Sequence, residues 1–150
     1  MPASNEEGVL NLSDIRRLYV RKKAGFRQGE ESLTAELKEV LGDRIEGCGI
    51  YHRYDVDGLS EEDYEKAVST VFSEPPVDSV ETQLPKGDLV IGVEFLPGQY
   101  DQRADSAEQC LAIVTGKDGA RVRCALVYTF DGHFAEGDRE KILKFLVNPV

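Results

Sequence analysis

Apolar residues recur along the chain with two periods, which predict β-strands and α-helices in turn. Leu18 and Val20 alternate with Tyr19 and Arg21, as side chains on the two faces of a strand do. Between positions 32 and 41 the apolar residues recur at helical spacing, which predicts a helix with Leu33, Leu37, Val40 and Leu41 on its buried face. The first part of the chain is therefore predicted to contain strands at 15–23, 45–56 and 77–84 and helices at 32–41 and 60–72.

Glycine and serine residues support the predicted ends of these elements. Gly42 follows the first helix in the position of a C-cap. Ser60, with an acidic residue three positions later, fits a helix start. Gly47 and Gly49 predict a bulge or bend in the second strand.

The order of elements then begins again. Strands are predicted at 89–95 and 122–130, and helices at 104–114 and 139–147. The buried face of the helix at 104–114 is predicted to consist of Ala107, Cys110, Leu111 and Val114.

Residues of similar character recur 73 positions apart, which we interpret as a tandem duplication. The predicted fold is α+β: a tandem pair of ferredoxin-like repeats with antiparallel sheets and pseudo-twofold symmetry, of the βαββαβ type if the middle strand of each repeat folds back on itself. The offset of 73 links Val20 with Val93, Gly25 with Gly98, Leu37 with Cys110, Val40 with Ile113, Leu41 with Val114, Phe72 with Phe145, Pro76 with Pro149 and Val77 with Val150.

The duplication divides the chain into a flexible lead at 1–14, a first repeat at 15–85 and a second at 86–150, which together form one pseudo-dimeric domain. The last strand of the second repeat would begin after Val150 and is missing. Its neighbour is then expected to be an unpaired edge strand, which proteins usually cover. Either a longer natural chain or another chain would supply the missing strand.

Net charge argues against nucleic acid as a partner, and the length of the apolar runs argues against a membrane. The chain has 28 acidic and 18 basic residues, a net charge of −10, so it repels nucleic-acid phosphates overall. We also expect no membrane partner, because no apolar run approaches the ~20 residues of a membrane span. Six of the bases lie in one stretch without an acid: Arg16, Arg17, Arg21, Lys22, Lys23 and Arg27.

The cysteines and histidines predict no metal site. Cys48, Cys110 and Cys124 are odd in number and form no C-x-x-C pair; reduced thiols of this kind indicate a cytoplasmic protein. A nucleophilic pair of Cys48 or Cys124 with His52 is conceivable, but no residue is marked as the third, orienting group.

Residues 96–110 are unusually polar for a link between a buried strand and a helix. A connector needs a turn and a cap, which Pro97-Gly98 and Asp101 or Asp105 supply. The additional glutamines, arginine and tyrosine suit hydrogen bonding to another surface or to a ligand.

Three segments, at 53–60, 71–78 and 96–110, resemble the N-terminal region of long-chain phosphoribosylformylglycinamidine synthases. The resemblance runs from about position 17 to 150, and the segment at 96–110 is its most specific part. In such enzymes an N-terminal small-subunit-like domain imitates, with two repeats in one chain, the dimer that a separate small subunit forms in short-chain versions.

The resemblance implies a scaffold without catalytic residues or a cofactor of its own. The whole enzyme is a ligase of de novo purine synthesis that converts formylglycinamide ribonucleotide, ATP and glutamine into formylglycinamidine ribonucleotide. Its synthetase domain uses ATP and magnesium, and its glutaminase domain supplies ammonia. The resemblance assigns docking with these two domains to Pro97, Gly98, Gln99, Tyr100, Asp101, Gln102, Arg103, Asp105 and Ser106, with electrostatic help from Arg21, Lys22 and Lys23.

Two other classes of function stay open at this point. Paired ferredoxin-like repeats suit a free-standing regulatory module that binds a small molecule between them. A small enzyme would have to use Cys110 or His52.

Overall fold

The computed structural model describes residues 15–147, whose strands each have an apolar face. The fold is α+β, with one five-stranded antiparallel sheet and four α-helices over that part of the chain. In chain order the elements are β1 (Arg16–Lys22), α1 (Gln28–Leu41), a 3₁₀ turn (Gly42–Arg44), β2 (Ile45–Asp57), α2 (Glu61–Thr70), β3 (Asp78–Glu81), β4 (Leu89–Glu94), α3 (Gln102–Thr115), β5 (Arg121–Gly132) and α4 (Asp138–Val147).

The sheet has the strand order β3-β1-β2-β5-β4, with every pair antiparallel. The predicted antiparallel pairing is confirmed, and β2 pairs with β5 along its whole length, which joins both halves into one sheet. β2 also runs straight through and does not fold back on itself. A register shift between Ile45 and Gly47 confirms the predicted bulge.

Two apolar cores lie on the helical face of the sheet, and each combines a helix from either half of the chain. α2 and α3 cover one end, where Leu18, Tyr54 and Leu111 are buried together. α1 and α4 cover the other end, where Leu37 and Ile142 meet β2, β4 and β5. Neither half of the chain therefore has a core of its own.

The opposite face of the sheet carries a smaller cluster of Tyr19, Tyr51 and Val127. β3 and β4 lie at opposite edges, so the connection at 82–88 has to cross the width of the sheet. A Cβ added to Gly87 would lie 3.0 Å from the Cβ of Thr129, which places this crossing connection directly against β5.

Several local predictions are confirmed. Leu18 and Val20 face the helices while Tyr19 faces the other way. Gly42 caps α1 with φ 63°. The Ser60 hydroxyl accepts a hydrogen bond of 3.1 Å from the backbone N–H of Asp63 at the start of α2.

The predicted helix faces need correction. Val40 is half exposed, and Cys110 and Val114 face solvent instead of the core. The buried residues of α3 are Ala104, Ala107 and Leu111. Cys110 was placed on the buried face because the apolar residues of α3 are mostly small, so that their spacing defines that face poorly. In α4, Ile142 is buried whereas Phe145 is 39% exposed.

The offset of 73 positions holds for only part of the chain. In β1 the even-numbered residues face the helices, and in β4 the odd-numbered residues do. Adding 73, an odd number, to a position in β1 therefore gives a position in β4 on the same face. From α1 onward 74 fits better, because it links the buried Leu37 with the buried Leu111 and the C-cap Gly42 with the C-cap Gly116. The offset thus grows by one residue between the first strand and the first helix of each half.

Two predictions concern residues outside the described part of the chain: the flexible lead at 1–14, and the offset of 73 that links Pro76 with Pro149 and Val77 with Val150. β3 spans Asp78–Glu81, only half the predicted length. β4 lies at one edge of the sheet, and no strand among residues 15–147 pairs with its outer side. This agrees with the expected open edge.

Gly132 stands where the end of β5 passes closest to the chain before β2. A Cβ at this position would overlap the backbone carbonyl oxygen of Arg44, which accepts a hydrogen bond from the N–H of His133. We expect Gly132→Ala to lower the free energy of unfolding by about 1–3 kcal/mol, as overpacking does. Urea denaturation measures this.

The matched control is Gly92→Ala on β4, where nothing lies within 4 Å of the added Cβ. That variant should stay within about 0.5 kcal/mol of the wild type. Equal effects of the two substitutions would contradict the close approach at Gly132.

An ion pair fixes α4 to the start of β2. The guanidinium of Arg44 donates two hydrogen bonds to the carboxylate of the buried Asp138, at 2.7 and 2.9 Å, and the N–H of Ala135 donates a third, at 2.8 Å. The bonds from Arg44 and then Ala135 lower the pKa of Asp138 from 3.8 to about 2.

A group with a lowered pKa in the folded state stabilises the fold above its unfolded pKa, and this contribution is lost as the pH falls toward the folded pKa. Asp138→Asn should therefore lower the melting temperature by several degrees at pH 6, and the difference from wild type should shrink between about pH 4 and pH 2. Asp118→Asn, at an exposed loop position, is the control. A difference that is independent of pH would refute the ionic contribution.

Candidate functional site

The loop between β4 and α3 begins with a tight turn. The N–H of Gln99 donates to the carbonyl of Leu96 at 3.0 Å, and Gly98 has φ 88°. Pro97 followed by a glycine with positive φ is the sequence of a type II turn. The side-chain oxygen of Gln99 also accepts from the N–H of Leu96 at 2.6 Å, so the turn is held from both ends.

Asp101 anchors the end of this loop. One carboxylate oxygen accepts from the N–H of Ala104 at 2.9 Å and caps α3; the other accepts from the N–H of Cys124 on β5 at 3.1 Å. Both oxygens are used within the domain. Asp101 therefore positions the loop rather than offering a free contact group.

Large side chains are exposed along the loop. Leu96 and Tyr100 are 68% and 69% exposed, and Phe95 beside them is 46% exposed. The Tyr100 hydroxyl donates to Asp105 at 3.0 Å, and Asp105 also accepts from Gln109 at 2.9 Å. These bonds hold the tyrosine ring in place while its surface remains in contact with water, which is typical of a contact surface.

The nine sequence-predicted residues lie together in the loop and the first turns of α3. Pro97, Gly98 and Gln99 form the exposed turn, whereas Tyr100 lines a shallow depression beside Tyr54 together with Gln102, Arg103 and Ser106. A guanidinium N–H of Arg103 donates to the Tyr54 hydroxyl at 3.1 Å.

The open edge of the sheet continues directly into this loop. β4 consists of five residues without charge followed by Glu94, and within the described chain its outer side has no partner strand. An unpaired, mostly apolar edge offers a row of backbone hydrogen-bonding groups. The edge and the exposed residues Phe95, Leu96 and Tyr100 form one continuous surface, which we name the β4-edge surface.

The basic stretch is largely neutralised by internal ion pairs. Arg21 makes two hydrogen bonds of 2.8 Å with Glu30, and Lys22 lies 3.0 Å from Asp78. Arg17 binds Asp55 in the same forked way. Arg21 is therefore committed to the interior of the domain and supplies little of the predicted electrostatic docking.

Sequence reasoning missed a second feature, a cleft over the middle of the sheet. It brings Lys22 and Arg27, His52 from β2, and Arg103 from α3 around one cavity. These residues lie far apart in the chain and meet only because β1 and β2 pair beside the start of α3. The basic stretch was the only signal in the sequence.

Cys48 and Cys124 lack the activation that a nucleophile requires. Burial, followed by the nearby Asp101, raises the pKa of Cys124 to about 12, and burial also raises the pKa of Cys48. The thiol of Cys124 shares a cavity with His52, but the raised pKa keeps it protonated at neutral pH.

The reactivity of Cys124 tests this environment. In a Cys48→Ser, Cys110→Ser double variant, labelling of Cys124 should be slow at pH 7 and should accelerate about tenfold per pH unit up to pH 10, because only the thiolate reacts. Mass spectrometry after timed alkylation measures the rate. A plateau near neutral pH would indicate a thiolate activated by His52 and would overturn the assignment.

Over residues 15–147 no helix is long and apolar enough to cross a membrane, and no group of three or more His, Cys, Asp or Glu side chains is arranged to hold a metal ion. In the comparisons with known proteins, no family model, curated protein or solved structure matches the chain.

Proposed function

We propose that this chain is the N-terminal scaffold domain of a long-chain phosphoribosylformylglycinamidine synthase, docking its synthetase and glutaminase domains. The proposal starts from the resemblance over about 17–150, which is most specific at 96–110. The chain then makes no bond itself; ATP, magnesium and the glutaminase nucleophile belong to the other domains. Such an enzyme works in the cytoplasm.

The observation that carries this proposal is the β4-edge surface. A connector needs no exposed apolar side chains, yet Leu96 and Tyr100 are both more than two-thirds exposed. Exposed apolar side chains surrounded by polar groups are the usual composition of a protein contact. The turn at Pro97 and the double anchor of Asp101 hold the loop in one shape, which reduces the entropy lost on docking.

We further propose that the domain is a pair of repeats related by a pseudo-twofold axis, ferredoxin-like in their alternation of strands and helices but with one long strand in place of the central hairpin. In both halves a strand, a helix, a long strand and a helix follow each other in that order. Gly25 and Gly98 both have positive φ after the first strand. With an offset of 74, His52 and Leu126 correspond, and they are also paired across β2 and β5. The axis would pass through this pair.

The symmetry also accounts for the open edge. β3 covers the outer side of β1 in the first half, whereas β4 has no such neighbour among residues 15–147. A docked segment of the same enzyme would complete the second half with the strand that it lacks. The alternative function, a free-standing regulatory module, would leave this edge exposed.

Docking is tested with the purified chain and a separately produced synthetase–glutaminase portion of such an enzyme from the same organism. We expect a complex at micromolar concentration by sedimentation velocity. Leu96→Ser and Tyr100→Ser should each weaken it about tenfold, the loss of one well-buried apolar contact. Addition of the chain should also restore glutamine-dependent amidation.

The matched control is Ile113→Ser, which removes an apolar side chain that is 82% exposed on α3. It lies outside the β4-edge surface and should leave the complex unchanged. No complex at micromolar concentration would refute the docking function. Equal weakening by Ile113→Ser would show that the β4-edge surface is not the contact.

A further inference from the structure

A cleft crosses the helical face of the sheet between the two cores. Its floor is a row of residues that pair across four strands: Val20, His52, Leu126 and Val93. α1 and α4 cover the sheet on one side of this row, and α2 and α3 cover it on the other. His52, at the centre of the row, is only half-buried.

On the β1 side of His52 the cleft holds a cavity of about 350 Å³. Val20, Tyr54 and Phe72 form an apolar wall. This volume and this mixture of apolar wall and a few polar groups are typical of sites for small organic molecules.

Two arginines without an acidic partner face the cavity. Arg27 precedes α1 and Arg103 lies in the first turn of α3. Neither forms an ion pair with any residue from 15 to 147. Each is held by one uncharged oxygen, Arg27 by the carbonyl of Lys22 at 2.7 Å and Arg103 by the hydroxyl of Tyr54 at 3.1 Å. Their other N–H donors are available to a ligand.

The carboxylates around the cavity are mostly engaged. Glu30 accepts two hydrogen bonds of 2.8 Å from Arg21, and Asp78 lies 3.0 Å from the ammonium of Lys22. Glu74, the remaining acid of the lining, is exposed. Once Glu30 is paired with Arg21 and Asp78 with Lys22, the cavity lining keeps two arginines without an ion pair, Arg27 and Arg103, against one exposed carboxylate, Glu74.

His52 adds a neutral donor at the floor. Burial, then Arg103 and Lys22, lower its pKa to about 4. The imidazole is thus uncharged at neutral pH and presents one N–H and one acceptor nitrogen.

We propose that this cleft binds a small organic phosphate, with its phosphate group between Arg27 and Arg103 and its carbon body against the wall of Val20, Tyr54 and Phe72. Guanidinium groups bind phosphate oxygens through forked, charge-assisted hydrogen bonds. The three terminal oxygens of a phosphate monoester match two guanidinium groups and an imidazole better than the two oxygens of a carboxylate do. This site is independent of the proposed docking function.

The test is calorimetric titration of the full chain with phenyl phosphate, with phenol and inorganic phosphate as comparison compounds. Phenyl phosphate should bind saturably and more tightly than inorganic phosphate, and phenol should not bind. Arg27→Gln and Arg103→Gln should each weaken binding about tenfold or more, as loss of a charge-assisted contact does. The His52 imidazole proton signals in NMR spectra should shift during the titration.

Arg121→Gln is the matched control, since its odd position on β5 places it on the face of the sheet away from the cleft. It should leave the affinity unchanged. Absence of saturable binding by phenyl phosphate, or equal affinities in all three variants with unchanged thermal unfolding, would overturn the proposal. Arg27 lies outside the β4-edge surface, so Arg27→Gln should weaken phosphate binding and leave docking intact. The two proposals can therefore fail separately.

Discussion

The pairing of β2 with β5 is the constraint on which the rest of the molecule depends. These are the two longest strands, and they run side by side from Ile45–Gly132 to Asp57–Arg121. Their register decides which residues face the helices, because a shift by one residue would turn every side chain to the other face. It also brings α1 next to α4 and α2 next to α3, and so creates both cores.

The cleft is a consequence of the same arrangement. Two helix pairs packed at opposite ends of one sheet leave the middle row only partly covered, and the strand pairing puts the half-buried His52 there. The starts of α1 and α3 both border this row, and they contribute Arg27 and Arg103 to the lining of the cavity. The docking loop and the cleft therefore share α3, and Arg103 belongs to both, whereas Arg27 belongs to the cleft alone.

Local structure could be predicted from the sequence where local chemistry decides it. Gly42 and Ser60 act as predicted because a cap depends on residues within one turn. The faces of β1 were predictable from alternation alone. Cys110 was misplaced because small, weakly apolar residues set the phase of α3, and the periodicity there is poor. The single sheet and the cleft depend on β2 meeting β5, which no local pattern encodes. The loop was found from its polarity and its nine contact residues from the family resemblance, but their separation into anchors such as Asp101 and exposed residues such as Tyr100 needed coordinates.

The same central strand pair governs how the chain folds during synthesis. Residues of β2 pair with residues 64 to 87 positions later in the chain, Asp57 with Arg121 and Ile45 with Gly132. At ribosomal rates this separation corresponds to a delay of roughly 3–17 s in which β2 has left the ribosome without its partner. Such distant pairing gives the domain a high contact order and slow folding. The nascent first half, with α1 and α2 present but no partner helices, exposes half of each core until β5 and α4 emerge.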